Sequence, residues 1–133
     1  METTTERETK PAIILSTGIY DLLKNELRTR KLSKYNENKL TLELKSAIQV
    51  LKRELPKAVV TVDRTVRVKE LATGEEHIYN LVAPAKARRK NNTLSILSPI
   101  GVAILGYVEG AEVRWEMPDG VKDFRIEEVT LLS

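Results

Sequence analysis

Side chains able to perform acid–base or nucleophilic chemistry are few in this sequence, and they are poorly grouped. His77 is the only histidine, cysteine is absent, and Ser98 stands in an unusual context directly before Pro99. A general base must lie within hydrogen-bonding reach of the proton it removes, and no base lies near Ser98 in the sequence. His77 has charged neighbours, which favours a surface position. We therefore predict no catalytic residue and do not expect an enzyme.

Metal and cofactor sites are not indicated either. The lack of cysteine excludes disulfides and thiolate ligands. No group of histidine and carboxylate residues has the spacing of metal ligands, and no glycine-rich loop fits a phosphate. We expect no metal and no cofactor.

The stretch LSILSPIGVAILGYVEG, residues 94–110, carries the most informative pattern. A serine followed by proline before an apolar run is typical of a helix start, with Ser98 as the cap and Pro99 in the first turn. The pattern predicts a strand, a rigid corner and a short helix. We expect Ser98, Pro99 and at least part of Ile100 to be exposed as an ordered anchor. The alternative is that Ile100, Ile104 and Leu105 simply cover a sheet.

The N-terminal third is predicted to contain two helices. Residues 1–10 form a polar, flexible tail, and PAIILS is an extended lead-in with Ser16 as a helix cap. A second helix begins near Glu37, keeps a period of 3.6 from Leu40 to Leu55, and ends at Pro56. Residues 11–56 are therefore predicted to form a short antiparallel helical hairpin.

From residue 57 to 133 the apolar period changes to two, which indicates strands. We predict a β-hairpin over residues 65–82, a strand in TLSIL, and strands on either side of the Pro118–Gly120 turn. The apolar parity changes in the last strand, which predicts a bulge near Glu127–Glu128. The fold class is therefore α+β, with one short helix against a mostly antiparallel sheet.

Charge and hydropathy favour a cytoplasmic monomer. The net charge is +3, most charges are interleaved with apolar residues, and no apolar run reaches the roughly 20 residues of a membrane span. Residues 1–10 lack the apolar core of a signal peptide. Two denser basic patches remain: Arg28, Arg30, Lys31, Lys34 and Lys39, and the loop residues Lys86, Arg88, Arg89 and Lys90. The second patch leaves open a nucleic-acid-binding module as an alternative function.

The sequence SILSPIGVAILGYVEGAEV resembles the C-terminal domain of Gre-type transcription elongation factors, through Ser95, the corner Ser98–Gly101, Ala103–Leu105 and Gly110. The sequences VVTVDRTVRVKELATGEEHIYNLVAPAKA and WEMPDGV are similar, more specifically, to the Rnk type of this family, the regulators of nucleoside diphosphate kinase. In that type a Gre-like domain follows a shorter helical hairpin. One departure is Ala111, where relatives commonly carry an acidic residue. The resemblance covers residues 58–131.

The resemblance implies a protein that binds bacterial RNA polymerase. The C-terminal domain, similar in fold to FK506-binding proteins, would grip a coiled coil at the rim of the secondary channel. The contact would use Ser98, Pro99, Ile100 and Gly101, with the helical hairpin directed into the channel. The similar fold also raises peptidyl-prolyl isomerase activity, but the few aromatic residues argue against the pocket that such an enzyme needs.

The predicted tip of the hairpin is unlike that of Gre factors, which carry an Asp-x-x-Glu pair that helps to hold Mg²⁺ for transcript cleavage. The tip here is Lys34, Tyr35, Asn36 and Glu37. Its single carboxylate is surrounded by the first basic patch, whereas Mg²⁺ prefers several oxygen ligands. We therefore expect a regulator that competes with Gre factors without stimulating cleavage.

Overall fold

The structure, a computed structural model, describes residues 12–132, so the predicted tail at residues 1–10 lies outside the described part. The helices are α1 (Thr17–Thr29), α2 (Lys34–Ser46) and the short α3 (Pro99–Ile104). The strands are β1 (Ile14–Ser16), β2 (Ile48–Val50), β3 (Arg64–Glu70), β4 (Glu76–Val82), β5 (Leu94–Ser95), β6 (Glu112–Met117) and β7 (Gly120–Leu131). The predicted α+β class is confirmed.

Serine side chains set the starts of both N-terminal helices. The Ser16 hydroxyl accepts a hydrogen bond from the Ile19 amide at 3.4 Å, as predicted, and Ser33 does the same for Asn36 at 3.2 Å. Each cap satisfies an amide that has no partner within the helix. The two helices are joined by only four residues, 30–33. They form a compact pair whose buried faces centre on Leu23 and Leu40.

The second helix is shorter than the apolar period predicts. It ends at Ser46, and the following residues leave the helical conformation, with Ala47 at ψ 143°. Ile48 and Val50 instead form β2, which pairs in parallel with β1, and the Ile48 amide donates to the Ile13 carbonyl at 2.9 Å. β-Branched residues suit a strand, and a strand partner is available here. The prediction of a helix reaching Leu55 is therefore wrong.

The main sheet has five strands in the order β5-β4-β3-β7-β6. All neighbours are antiparallel except β4 and β5, which run parallel. The predicted hairpin appears as β3 and β4. The predicted bulge is confirmed, because Arg67 faces Glu128 while Val68 faces Ile126, which leaves Glu127 as the extra residue. Strand β6 lies at an edge of this sheet.

Helix α3 packs closely against the chain that precedes it. A Cβ placed on Gly101 would stand 2.4 Å from the Ile96 carbonyl oxygen, so only glycine permits this approach. After the helix, Gly106 adopts φ +88°, and its carbonyl accepts from the Ile14 amide at 2.9 Å. The short helix is thereby tied to β1 as well as to the sheet.

One hydrophobic cluster joins the two halves of the chain. Leu23 of α1 and Leu40 of α2 belong to the same buried cluster as Val66, Trp115 and the α3 residues. The predicted boundary at residues 56–57 lies between two segments that share this core, and the division of the chain into two domains stays a prediction. The helical pair is held against the sheet instead of standing free of it.

Candidate protein-binding surface

The Ser98–Pro99 corner is built as its sequence predicts. The Ser98 hydroxyl accepts from the Gly101 amide at 3.2 Å, and Pro99 occupies the first turn of α3. The Ser98 amide donates to the Ser95 carbonyl at 3.0 Å, which ties the corner to β5. Pro99 is exposed and Ser98 is half-buried. The corner therefore presents a rigid proline on the surface.

The expectation that part of Ile100 is exposed is wrong. Its side chain is 7% exposed and belongs to the hydrophobic core. Helix α3 has six residues and directs this side chain into the hydrophobic core, where burial of a side chain of this size stabilises the fold by about 2 kcal/mol. Gly101 is also buried. Ile100 and Gly101 thus shape the corner, while Pro99 and the edge of Ser98 form its surface.

Two grooves flank the corner. The basic groove, about 510 Å³, lies between β4 at Ile78 and the corner at Ser98, and Arg88 and Arg89 are part of its lining. The connector groove, about 420 Å³, lies between Pro99 and the residues 30–33 that join α1 to α2. Because the corner separates these grooves, one partner surface could touch all three features.

The basic loop is exposed but well ordered by hydrogen bonds. Lys86, Arg88, Arg89 and Lys90 are all exposed. The Arg88 guanidinium donates to the carbonyls of Ala85 and Ala87 at 3.1 and 2.9 Å, so this cation supports the loop. Within residues 12–132, no ion pair or hydrogen bond involves the side chains of Lys86, Arg89 and Lys90. These three charges are available to a partner.

The predicted hairpin tip is partly clamped to the edge of the sheet. Asn36 is only 6% exposed. Its amide nitrogen donates to the Glu116 carbonyl at 2.9 Å, and its amide oxygen accepts from the Glu116 amide at 2.9 Å. The side chain therefore satisfies both main-chain groups of one residue on edge strand β6, as a neighbouring strand would. The sequence places Asn36 in the predicted hairpin tip, and nothing in its local pattern indicates this clamp.

A second contact holds α2 against the domain. The Glu43 carboxylate accepts hydrogen bonds from the Lys39 ammonium and the Tyr107 hydroxyl, and Lys39 also donates to the Tyr107 oxygen at 2.9 Å. The Lys39 nitrogen lies 5.9 Å from the centre of the Trp115 ring. Burial and the nearby Glu43 charge raise the pKa of Tyr107 far above its usual value. Lys39 is thus part of the interior contact, not of an exposed basic patch.

The remaining tip residues form the first turn of α2. Lys34, Tyr35 and Glu37 are exposed, and the Lys34 ammonium lies 3.9 Å from the Glu37 carboxylate. A carboxylate in the first turn suits the positive end of the helix dipole, so Glu37 has a structural explanation. It stands as the one carboxylate in this turn.

His77 lies on the surface and is partly covered. It stacks on Tyr79 with ring centres 6.0 Å apart, and its Nε2 atom lies 3.6 Å from Glu75. The ligand atoms of Glu70, Glu75 and His77 all lie within 4.8 Å of one another, a grouping that the sequence spacing did not predict. Glu70 already pairs with the Lys122 ammonium at 3.4 Å. This cluster is accounted for by the ion pair and the ring stacking.

The adjoining hollow between sheet and α3 measures about 230 Å³, with Tyr79 and Phe124 as its aromatic members. Trp115, the largest aromatic side chain, is buried in the core. Over residues 12–132, none of the helices has the length and apolar character to cross a membrane.

Comparison with known proteins places this architecture. The profile of the family described as "Transcription elongation factor, GreA/GreB, C-term" matches residues 55–131. The regulator of nucleoside diphosphate kinase from Escherichia coli strain K12 is 39% identical over 82 residues, covering 62% of this chain and 60% of that protein. Transcription elongation factor GreA from Clostridium beijerinckii is 33% identical over 138 residues, covering 95% of this chain and 82% of that protein.

A solved structure agrees. The prokaryotic transcription elongation factor GreA/GreB from Nitrosomonas europaea superposes with a TM-score of 0.63 at 38% identity, covering 91% of this chain and 99% of that one. Fold, corner and matched region define a protein of the transcription elongation factor class. The chain belongs to the GreA/GreB family, and the resemblance to Rnk-type members is confirmed.

Proposed function

We propose that this protein binds bacterial RNA polymerase through the Ser98–Pro99 corner and regulates transcription as a binding protein without enzymatic activity of its own. The observation that carries this proposal is the corner itself, in which a capped helix start, held by the buried Ile100 and Gly101, presents Pro99 on the surface. A contact that is ordered before binding loses little conformational entropy when the partner docks. The coiled coil at the rim of the secondary channel, which Gre factors grip, is the proposed partner surface.

The proposed role excludes stimulation of transcript cleavage. Recruiting Mg²⁺ requires several oxygen ligands, and the first turn of α2 offers Glu37, which is paired with Lys34. The Asn36 clamp supports the same proposal, because it holds this turn against β6. We infer that the protein occupies the polymerase site of Gre factors and competes with them by mass action.

The test measures binding of the purified protein to core RNA polymerase. A Pro99→Glu variant adds a charge at the proposed contact, and a glutamate in the first helical turn suits the helix dipole, so the fold is expected to persist. Its affinity should fall by about 30-fold, the effect of losing a central contact worth roughly 2 kcal/mol. The matched control is Pro56→Glu, since Pro56 is also an exposed proline and belongs neither to the corner nor to the basic loop.

Circular dichroism of both variants establishes that the fold is retained. Equal binding by wild type and a folded Pro99→Glu variant would overturn the assignment of the contact to the corner. Failure of the wild-type protein to bind core polymerase would overturn the proposed function.

A further inference from the structure

We propose that the basic groove binds an acidic segment of the polymerase surface, with Arg89 of its lining and the adjacent exposed Lys90 of the loop facing the carboxylates, and Ile78 contacting an apolar residue beside them. This inference rests on the proposed function and names the chemistry of the partner surface. It adds a second contact next to the corner, because Ser98 lines the basic groove as well.

The charges of the groove are one-sided. Its lining, which lies wholly within the described residues, includes two arginines and no acidic residue. Elsewhere on the same sheet the cations have acidic neighbours: Arg67 pairs with Glu76, and Arg114 pairs with Asp123. Arg89 and Lys90 have no such partner within residues 12–132. A partner with carboxylates would complete this surface, and complementary charge speeds association and fixes orientation.

The loop is held in place before any partner arrives. The Arg88 guanidinium donates to two carbonyls within the loop, and the Arg88 amide donates to the Thr93 hydroxyl at 2.8 Å. The Asn80 side chain donates to the Asn92 carbonyl at 3.1 Å, which fixes the far end of the loop to β4. Because the backbone under Arg89 and Lys90 is fixed, binding costs little backbone ordering entropy.

The groove also has an apolar wall. Ile78 is 61% exposed and lies on β4 beside the basic loop. A large apolar side chain next to unpaired cations matches the composition of a protein interface, with an apolar centre and a charged rim. Single-stranded nucleic acid would instead need exposed aromatic faces for its bases, and the one aromatic residue here, Tyr79, is half-buried and stacked on His77. The observations thus favour a protein segment.

The experiment compares two charge reversals at adjacent basic pairs. Arg89→Glu/Lys90→Glu changes the groove and the loop residue next to it, whereas Lys52→Glu/Arg53→Glu changes an exposed helical turn of the same length elsewhere. Binding to core polymerase is measured at several salt concentrations. We expect the groove variant to bind about ten-fold more weakly at low salt with a reduced salt dependence, and the control to bind within about two-fold of wild type. Exchanging the cations, Arg89→Lys/Lys90→Arg, should preserve binding.

The outcomes separate the two proposals. If wild type binds polymerase and the folded groove variant binds equally well, the groove inference is overturned while the corner proposal stands. If the control loses as much affinity as the groove variant, the effect is one of net charge and the inference also fails. If wild type binds free single-stranded RNA as tightly as polymerase, and the groove variant loses this binding, the groove belongs to nucleic acid. If wild type does not bind polymerase, the proposed function fails and the groove inference with it.

Discussion

Replacing Asn36 by alanine removes the clamp between α2 and edge strand β6. Two hydrogen bonds of 2.9 Å are lost, each worth a net of about 1 kcal/mol, and the backbone groups of Glu116 lose their partner. Alanine favours the helix by about 0.5 kcal/mol, which offsets part of the loss. The matched control is Asn38→Ala, at an exposed position of the same helix, where only the helix term applies. The two variants should therefore differ by about 2 kcal/mol.

Urea denaturation measures this difference. With an m value of about 2 kcal/mol per molar, the midpoint of Asn36→Ala should lie about 1 M below that of Asn38→Ala. Hydrogen exchange adds a local measurement, because the Glu116 amide donates its hydrogen bond to Asn36. In Asn36→Ala its protection should fall about ten-fold more than that of the β3 amides, which report only the global loss of stability. Equal midpoints together with unchanged protection at Glu116 would refute the clamp.

Three further predictions concern the packing at Gly101, the interior contact of Tyr107 with Glu43, and the effect of the protein on transcript cleavage. Gly101→Ala should destabilise the fold by about 3 kcal/mol in urea denaturation, because its Cβ would stand 2.4 Å from a backbone carbonyl oxygen. The control is Gly18→Ala, which has open space around it and should not destabilise the fold. The raised pKa of Tyr107, caused first by burial and then by Glu43, stabilises the fold below the ordinary tyrosine pKa near 10, and this contribution is lost as pH rises above that value. Tyr107→Phe should therefore be less stable at pH 7 and lose less stability than wild type between about pH 9 and 11; an equal alkaline loss would contradict this assignment. On a backtracked transcription complex the protein alone should leave the RNA uncut, since Glu37 is the one carboxylate in the first turn of α2. The protein should also inhibit cleavage by a Gre factor in a dose-dependent manner. Cleavage by the protein alone would contradict the mechanism.

Local patterns predicted the parts of the fold that local chemistry determines. The capped corner at Ser98, the β-hairpin and the bulge at Glu127 all follow from turn residues and parity along a few positions. The end of α2 could not be predicted in this way, because the apolar period continues past Ser46 and only the presence of β1 makes Ile48 a strand residue. Pairing between distant segments is invisible to a window of sequence.

The same limit applies to the candidate surface. The exposure of Pro99 could be predicted from the corner, but the burial of Ile100 depends on which way a short helix turns against the sheet. The Asn36 clamp joins residues 80 positions apart and looks in the sequence like an ordinary polar helix residue. The basic loop of the groove can be recognised in the sequence by its charges. The exposure of Ile78 cannot, because a strand pattern alone does not show which side of the strand is covered.

The parallel pairing of β1 with β2 has a mechanical consequence. Ile14 faces Ile48, so the chain enters and leaves the helical pair at one place, and the Asn36 clamp fastens the opposite region to β6. The helical pair is thus an arm of the domain that is anchored at two separated points, so it cannot pivot. The distance to which it extends is set by the number of residues between the two anchors. Adding one turn to each helix would carry Asn36 about 5 Å beyond Glu116 and release the arm, while the β1–β2 base would remain closed. The length of these helices thus decides whether the arm is a fixed part of the domain or a projecting one.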